Sequence, residues 1–129
     1  MVESVRVAER SSVPDPSPSV PPDDELTVQL LQETAATLGL LSATVRLHIL
    51  WVLAKGEQDV GTLAARTGQS LATVSHHLAK LKLAGLVRAQ RAGKRQVYVA
   101  TDPHVLAIID VALGQRLRSE DAPARLRQA

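Results

Sequence analysis

The chain contains no cysteine and no phenylalanine, and aromatic residues make up only 2% of its 129 positions. Without cysteine there are no disulfides, no thiolate metal centres and no cysteine-based redox sensing. A core lacking Phe has to be built from Leu, Val, Ala and Ile, which suits a mainly helical domain. No apolar run reaches the roughly 20 residues that a membrane-crossing helix needs, and the N-terminus lacks the charged-then-apolar layout of a secretory leader. A cytoplasmic location with no membrane partner is expected. The fourth absence is local: no acidic residue occurs between Asp59 and Asp102.

That same window holds seven basic residues, Arg66, Lys80, Lys82, Arg88, Arg91, Lys94 and Arg95. The whole chain carries a net charge of only +2, because residues 1–38 hold seven acids against Arg6 and Arg10. A one-signed positive field on a compact unit suits a polyphosphate backbone, since each neutralised phosphate releases condensed counterions. A merely solvated basic face would not explain why acids crowd both flanks and vanish between them. Nucleic acid is the expected partner.

Three regions follow from composition. Residues 1–22 read as a disordered Pro/Ser-rich tail, because the run from Ser11 to Pro22 holds five of the seven prolines and cannot bury enough to repay ordering. Residues 23–118 read as the folded domain, and 119–129 as a flexible C-terminal tail. Within the domain, Asp23-Asp24-Glu25 opens a first helix over roughly 24–38, which Gly39 is expected to end. Ser42 is the expected N-cap of a second helix running to about Lys55. Its stretch from Val45 to Ala54 is apolar almost all round and should be buried, with His48 as a satisfied core residue.

Asp59 then caps a short third helix over residues 60–67. Gly68-Gln69-Ser70 makes a turn, and a fourth helix runs from Leu71 to about Ala84, stopped by Gly85. Val74, Leu78 and Leu81 share one stripe of that helix, with Leu71 extending it. Ala72, Thr73, His76, His77 and Lys80 show on the opposite face, the two histidines pointing apart. A short helix, a glycine turn and an amphipathic helix make a helix-turn-helix, whose second helix enters the major groove with its N-terminal end. Ser70, Thr73, Ser75, His76 and His77 can exchange hydrogen bonds with base edges there, and Lys80 and Lys82 are suited to phosphate.

The pattern next alternates. Val87 and Ala89 face one way and Arg88 and Gln90 the other; Arg91-Ala92-Gly93-Lys94 is expected to turn, and Val97 and Val99 to point inward. This hairpin would be a wing, carrying Arg91, Lys94 and Arg95 at its tip along the adjacent phosphate backbone or minor groove. Thr101-Asp102-Pro103 then starts the last helix, with proline where its missing N–H costs nothing. Val105, Leu106, Ile108, Ile109, Ala112, Leu113 and Leu117 give that helix more apolar surface than a peripheral helix can bury. Leu31, Ala35 and Leu38 give the first helix a similar excess. A homodimer formed through Leu31, Ala35, Leu38, Ile109, Leu113 and Leu117 would cover both.

Four segments, Ala43-Thr44-Val45-Arg46-Leu47-His48-Ile49-Leu50, Leu63-Ala64, Thr73-Val74-Ser75-His76-His77-Leu78-Ala79-Lys80-Leu81 and Ala84-Gly85-Leu86-Val87, occur in fixed order and spacing. Together they resemble the ArsR/SmtB family of bacterial winged-helix repressors over roughly residues 24–117. The resemblance implies a mainly α fold with a small β-hairpin: four helices, two strands and a fifth helix, assembled as a homodimer. It also implies an inverted-repeat operator on double-stranded DNA, and release on sensing a ligand, commonly a metal. Ser75 and His76 match the family's DNA-contacting positions; Ala72 stands where relatives often carry a polar residue.

Relatives with a metal site on the last helix use an Asp-x-His pair near its start and two further His ligands from the partner. Asp102 and His104 match the first pair, but the other positions hold Gln115 and Arg118. Two protein ligands do not close a tetrahedral or six-coordinate site. Asp102 is better read as an N-cap and His104 as a first-turn polar residue. No cofactor is therefore expected, apart from residual divalent-metal binding. The leading reading is a DNA-binding transcriptional regulator and repressor. Its rivals are a metal-responsive derepressor using Asp102 and His104, and a protein-interaction module that has lost DNA binding. An enzyme has no support: the folded region shows no nucleophile–base spacing, phosphate loop or paired carboxylates.

Overall fold

The computed structural model describes residues 25–119. The expected tail over 1–22, the Asp23-Asp24 pair and the expected 119–129 tail beyond its first residue lie outside the described residues; that first residue, Ser119, is the last of the final helix. The chain divides into two compact units between Glu33 and Thr34; the second contains every element after the start of the first helix. In chain order the elements are α1 (Val28–Leu41), α2 (Thr44–Leu53), β1 (Gln58–Asp59), α3 (Val60–Thr67), α4 (Leu71–Leu83), β2 (Val87–Ala92), β3 (Arg95–Ala100) and α5 (Pro103–Ser119). This is the winged helix-turn-helix order with one added strand.

Two sequence expectations fail at the α1–α2 corner. Gly39 does not end α1, which starts later, at Val28, and continues to Leu41. The helix opens where the Thr27 hydroxyl accepts from the Leu30 N–H at 3.0 Å. A single helical glycine costs only about 1 kcal/mol, and Leu41 is buried at the far end. Ser42 is not the N-cap of α2 either. Its hydroxyl donates backwards to the Gly39 carbonyl at 2.7 Å, and Ala43 takes the cap position without a side-chain bond.

The core is aliphatic, as the composition requires. Ile49, Leu50, Val52 and Leu53 of α2 meet Leu63 of α3, Val74, Leu78 and Leu81 of α4, and Val105 and Ile109 of α5. Each such side chain contributes about 1.5–3 kcal/mol when fully removed from water. Leu71, by contrast, is 56% exposed and does not extend the α4 stripe inward. His48 is exposed as well, so it is not a core histidine; it rims a shallow recess with Thr44, Leu47, Trp51 and Leu113.

The helix α4 stops by a double hydrogen bond. Leu86 N–H reaches the Leu81 carbonyl at 2.9 Å and Gly85 N–H the Lys82 carbonyl at 3.0 Å, with Gly85 at φ 80°. That left-handed residue costs an L side chain strain, and the buried Leu81–Leu86 pair closes the motif. The chain passes directly into the hairpin. Strands β2 and β3 pair antiparallel from Val87↔Ala100 to Ala92↔Arg95. Strand β1, which the sequence reading missed, pairs with the outer edge of β3, so the sheet order is β1-β3-β2. Val97 is buried but Val99 only half so; Val87 of β2 belongs to the main core, and Tyr98 and Ala100 of β3 pack against it.

Candidate nucleic-acid interface

The helix-turn-helix is set by two caps. Asp59 Oδ1 accepts from Thr62 N–H at 2.7 Å and starts α3; Ser70 Oγ accepts from Thr73 N–H at 3.0 Å and starts α4. The Asp59 carboxyl is held below its ordinary value of 3.8, first by the Thr62 backbone N–H, then by the Thr62 side chain and by Arg95. The Ser70 hydroxyl also donates to Thr73 Oγ1 at 2.9 Å, so these two expected base-reading hydroxyls engage one another before any ligand arrives.

Ser70, Ser75, His76, Lys80 and Lys82 are exposed, while Thr73 and His77 are half-buried. His77 differs most from expectation. Its Nδ1 lies 3.2 Å from a guanidinium nitrogen of Arg46 on α2, which also donates through Nε to the Leu40 carbonyl at 2.9 Å. The two histidines do not point apart: their ring centroids are 5.5 Å apart, edge to face. Sequence reading missed Arg46, although a lone cation inside an otherwise apolar helix was a usable signal.

The wing is also rearranged relative to the sequence reading. Only Gly93 and Lys94 make the turn, with Gly93 at φ 67°, the positive value that tight two-residue hairpin turns need at their first position. Arg91 belongs to β2, opposite Gln96. Arg95 does not stand free at the tip: its Nη2 lies 3.0 Å from Asp59 Oδ2, although its side chain stays 61% exposed. Gln90 Nε2 donates to Glu57 Oε1 at 3.1 Å. Acids absent from the window in sequence are thus folded back onto it by β1. Arg91 and Lys94 remain exposed cations on the wing.

At the start of α5, Asp102 Oδ1 accepts from His104 N–H at 2.9 Å and from Val105 N–H at 3.4 Å, a helix cap as the spacing suggested. His104 is almost fully exposed and its Nδ1 stands 3.5 Å from the same oxygen. Of the expected dimer residues, Ile109 needs correction, because it is only 2% exposed and belongs to the chain's own core. Leu113 is half-buried against that core. Leu31, Ala35, Leu38 and Leu117 are exposed, and Ile108 and Val111 add to the uncovered apolar surface of α5.

The comparisons agree with this architecture. The profile described as "Bacterial regulatory protein, arsR family" matches residues 43–89, from the start of α2 into β2. The transcriptional regulator NmtR of Mycobacterium tuberculosis is 38% identical over 96 residues, which is 74% of this chain and 77% of NmtR. The homodimeric winged helix-turn-helix domain of Mb0332 from Mycobacterium bovis, described as a possible ArsR-family regulator, superposes with a TM-score of 0.60 at 35% identity. It covers 81% of this chain and 94% of that domain. The antimony-specific repressor AntR gives a TM-score of 0.71 at 29% identity, covering 84% of this chain and 99% of AntR. With the capped helix pair, the exposed polar face of α4 and the wing in place, the chain belongs to the arsR family of bacterial regulatory proteins and is a DNA-binding transcriptional regulator, not an enzyme.

Proposed function

We propose that the protein is a homodimeric repressor that binds an inverted repeat in double-stranded DNA in the cytoplasm. The observation that carries the reading is the surface of α4 and the wing. Ser75, His76, Lys80 and Lys82 are exposed on a helix capped by Ser70, and Lys94 stands at the turn that follows. Ser75 and His76 read base edges, the lysines and Arg91 hold phosphates, and the dimer sets the two helices about 34 Å apart, one helical turn of DNA. The dimer is supported by exposed Ile108, Val111 and Leu117 on α5 and Leu38 on α1, and by the homodimeric relative. Among the described residues no single helix is long and apolar enough to cross a membrane. The test is fluorescence anisotropy with a duplex from the protein's own upstream region against a scrambled duplex. A preference of about a thousandfold or more is expected, and equal affinity for the two refutes the reading.

A metal-responsive derepressor is the second reading, favoured by the 3.5 Å approach of Asp102 and His104. The residues do not fit a closed site. Asp102 Oδ1 already serves two backbone N–H groups, and Gln115 and Arg118 occupy the remaining family positions. The signal that releases the DNA is accordingly assigned to something other than a last-helix zinc or nickel site.

A further inference from the structure

Behind the exposed face of α4, a contact joins three helices. Arg46 sits half-buried on α2, with Nε on the Leu40 carbonyl in the last turn of α1 and Nη1 on His77 Nδ1 in α4. A guanidinium has only donors and keeps its proton in proteins. The nitrogen that faces it must therefore offer a lone pair. The ring proton of His77 then resides on Nε2, and the tautomer is fixed by the partner's chemistry. Burial is the largest influence holding His77 below its ordinary value of 6.5, followed by Arg46, His76 and Lys80. The groups acting on it are Arg46 from α2 and two residues of its own helix, with no carboxylate among them.

We propose that Arg46 is a positioning residue for DNA recognition: anchored on Leu40, it holds His77 as a neutral ring that offers the DNA a hydrogen-bond donor at Nε2. The inference rests on α4 being the helix that enters the major groove. A donor matches acceptor edges, such as N7 and O6 of guanine, and mismatches the amino group of cytosine. Protonation of His77 would set Nδ1–H against a guanidinium N–H, donor against donor and cation against cation, and the contact would open. The Leu40 anchor also ties the reading ring to the α1–α2 corner, so that displacing this corner displaces the ring.

The test combines histidine NMR on the free protein with anisotropy on a duplex selected from a random pool by the unaltered protein, read against a scrambled duplex. The chain's four histidines allow His77 to be assigned with His77→Ala. In the unaltered protein His77 is expected as the Nε2–H tautomer, titrating below its ordinary value, with duplex preference constant between about pH 6.5 and 8. Arg46→Met should raise the His77 midpoint and lower the preference about three- to tenfold, the worth of one hydrogen bond. Arg46→Lys, which keeps the charge and one donor group, should restore the low midpoint and part of the preference. If Arg46→Met does not fold, Arg46→Gln, polar but uncharged, takes its place as the uncharged variant. The inference is overturned if the uncharged Arg46 variant leaves the His77 titration unchanged, or if it moves the titration while that variant and His77→Ala keep full duplex preference. Failure of the underlying reading looks different: no duplex is enriched by the unaltered protein, which sinks both without any variant.

Discussion

Ile109 and Leu117 lie eight positions apart on α5, but the structure gives them opposite environments, and substitution should separate core from interface. Ile109 is 2% exposed in the single chain and packed in the main cluster; Leu117 is 61% exposed. Truncating Ile109 to Ala removes three carbons from a site with no solvent access and leaves a cavity, costing about 2–4 kcal/mol. For a folded unit of this size that is a fall in melting temperature of roughly 10–25 °C. Leu117→Glu touches little of the single-chain core but places an unpaired charge on the proposed dimer surface, costing several kcal/mol of association. The assays are urea unfolding by circular dichroism at one protein concentration and sedimentation of the native proteins. Ile109→Ala should lower the urea midpoint with the slope unchanged and stay dimeric. Leu117→Glu should sediment as a monomer, with operator affinity lost because half-site spacing is no longer held. Were Ile109→Ala to become monomeric with its unfolding free energy intact, Ile109 would face the partner and the assignment of α5 to the core would be wrong.

Other outcomes follow from the same geometry. His76→Ala should cost about 1–3 kcal/mol at one base position of the operator and leave the fold unchanged, as read by competition with singly substituted duplexes. Lys94→Ala should flatten the logarithmic salt dependence of binding by about one unit, whereas Arg95→Ala should flatten it less, because Arg95 is already paired with Asp59; equal changes would mean that DNA displaces Asp59. The Asp59 carboxyl titrates below its ordinary value, so its contribution to stability is present above about 3.8 and lost as pH falls through the lowered folded value. Asp59→Asn should remove that part of the acid-unfolding slope, measured as urea midpoints across the acid range. Stoichiometric zinc or nickel should leave operator anisotropy unchanged; metal-driven release abolished by His104→Ala would restore the derepressor reading.

The helix-turn-helix was legible because its signals are local. Asp59 and Ser70 cap from one residue before each helix, and Val74, Leu78 and Leu81 recur at helical spacing on one buried stripe. The hairpin was legible in type but not in register, since Arg91-Ala92-Gly93-Lys94 admits more than one turn and only the pairing of Ala92 with Arg95 selects Gly93-Lys94. What escaped depends on distant partners. Strand β1 is two residues long and has no period of its own; it exists because the edge of β3 pairs with it. Ser42 has the chemistry of a helix cap and uses it on the helix behind it. Ile109 shows the limit of the apolar count on α5: periodicity marks a face as hydrophobic, but only the packed chain shows whether its own core or another copy covers it.

The same limit applies to charge. A stretch free of acids in sequence is not free of them in space, because β1 returns Glu57 and Asp59 to the hairpin and engages Gln90 and Arg95. Asp59 therefore has two tasks at once, starting α3 through Oδ1 and holding β3 through Oδ2. A carboxylate can do both because each oxygen has its own lone pairs. This links the first helix of the helix-turn-helix to the wing through one side chain, just as Arg46 links α1 to α4 through one guanidinium. Of the window's seven cations, Arg95 is paired with Asp59 and Arg88 donates to Gln90 Oε1 at 3.2 Å, whereas Lys80, Lys82, Arg91 and Lys94, the cations proposed for phosphate, are exposed on α4 and the hairpin, and Arg66 is exposed on α3. The proposed DNA surface is thus narrower than the basic window, and Asp59 and Arg46, the two charged residues that brace it, hold the hairpin and α4 from behind.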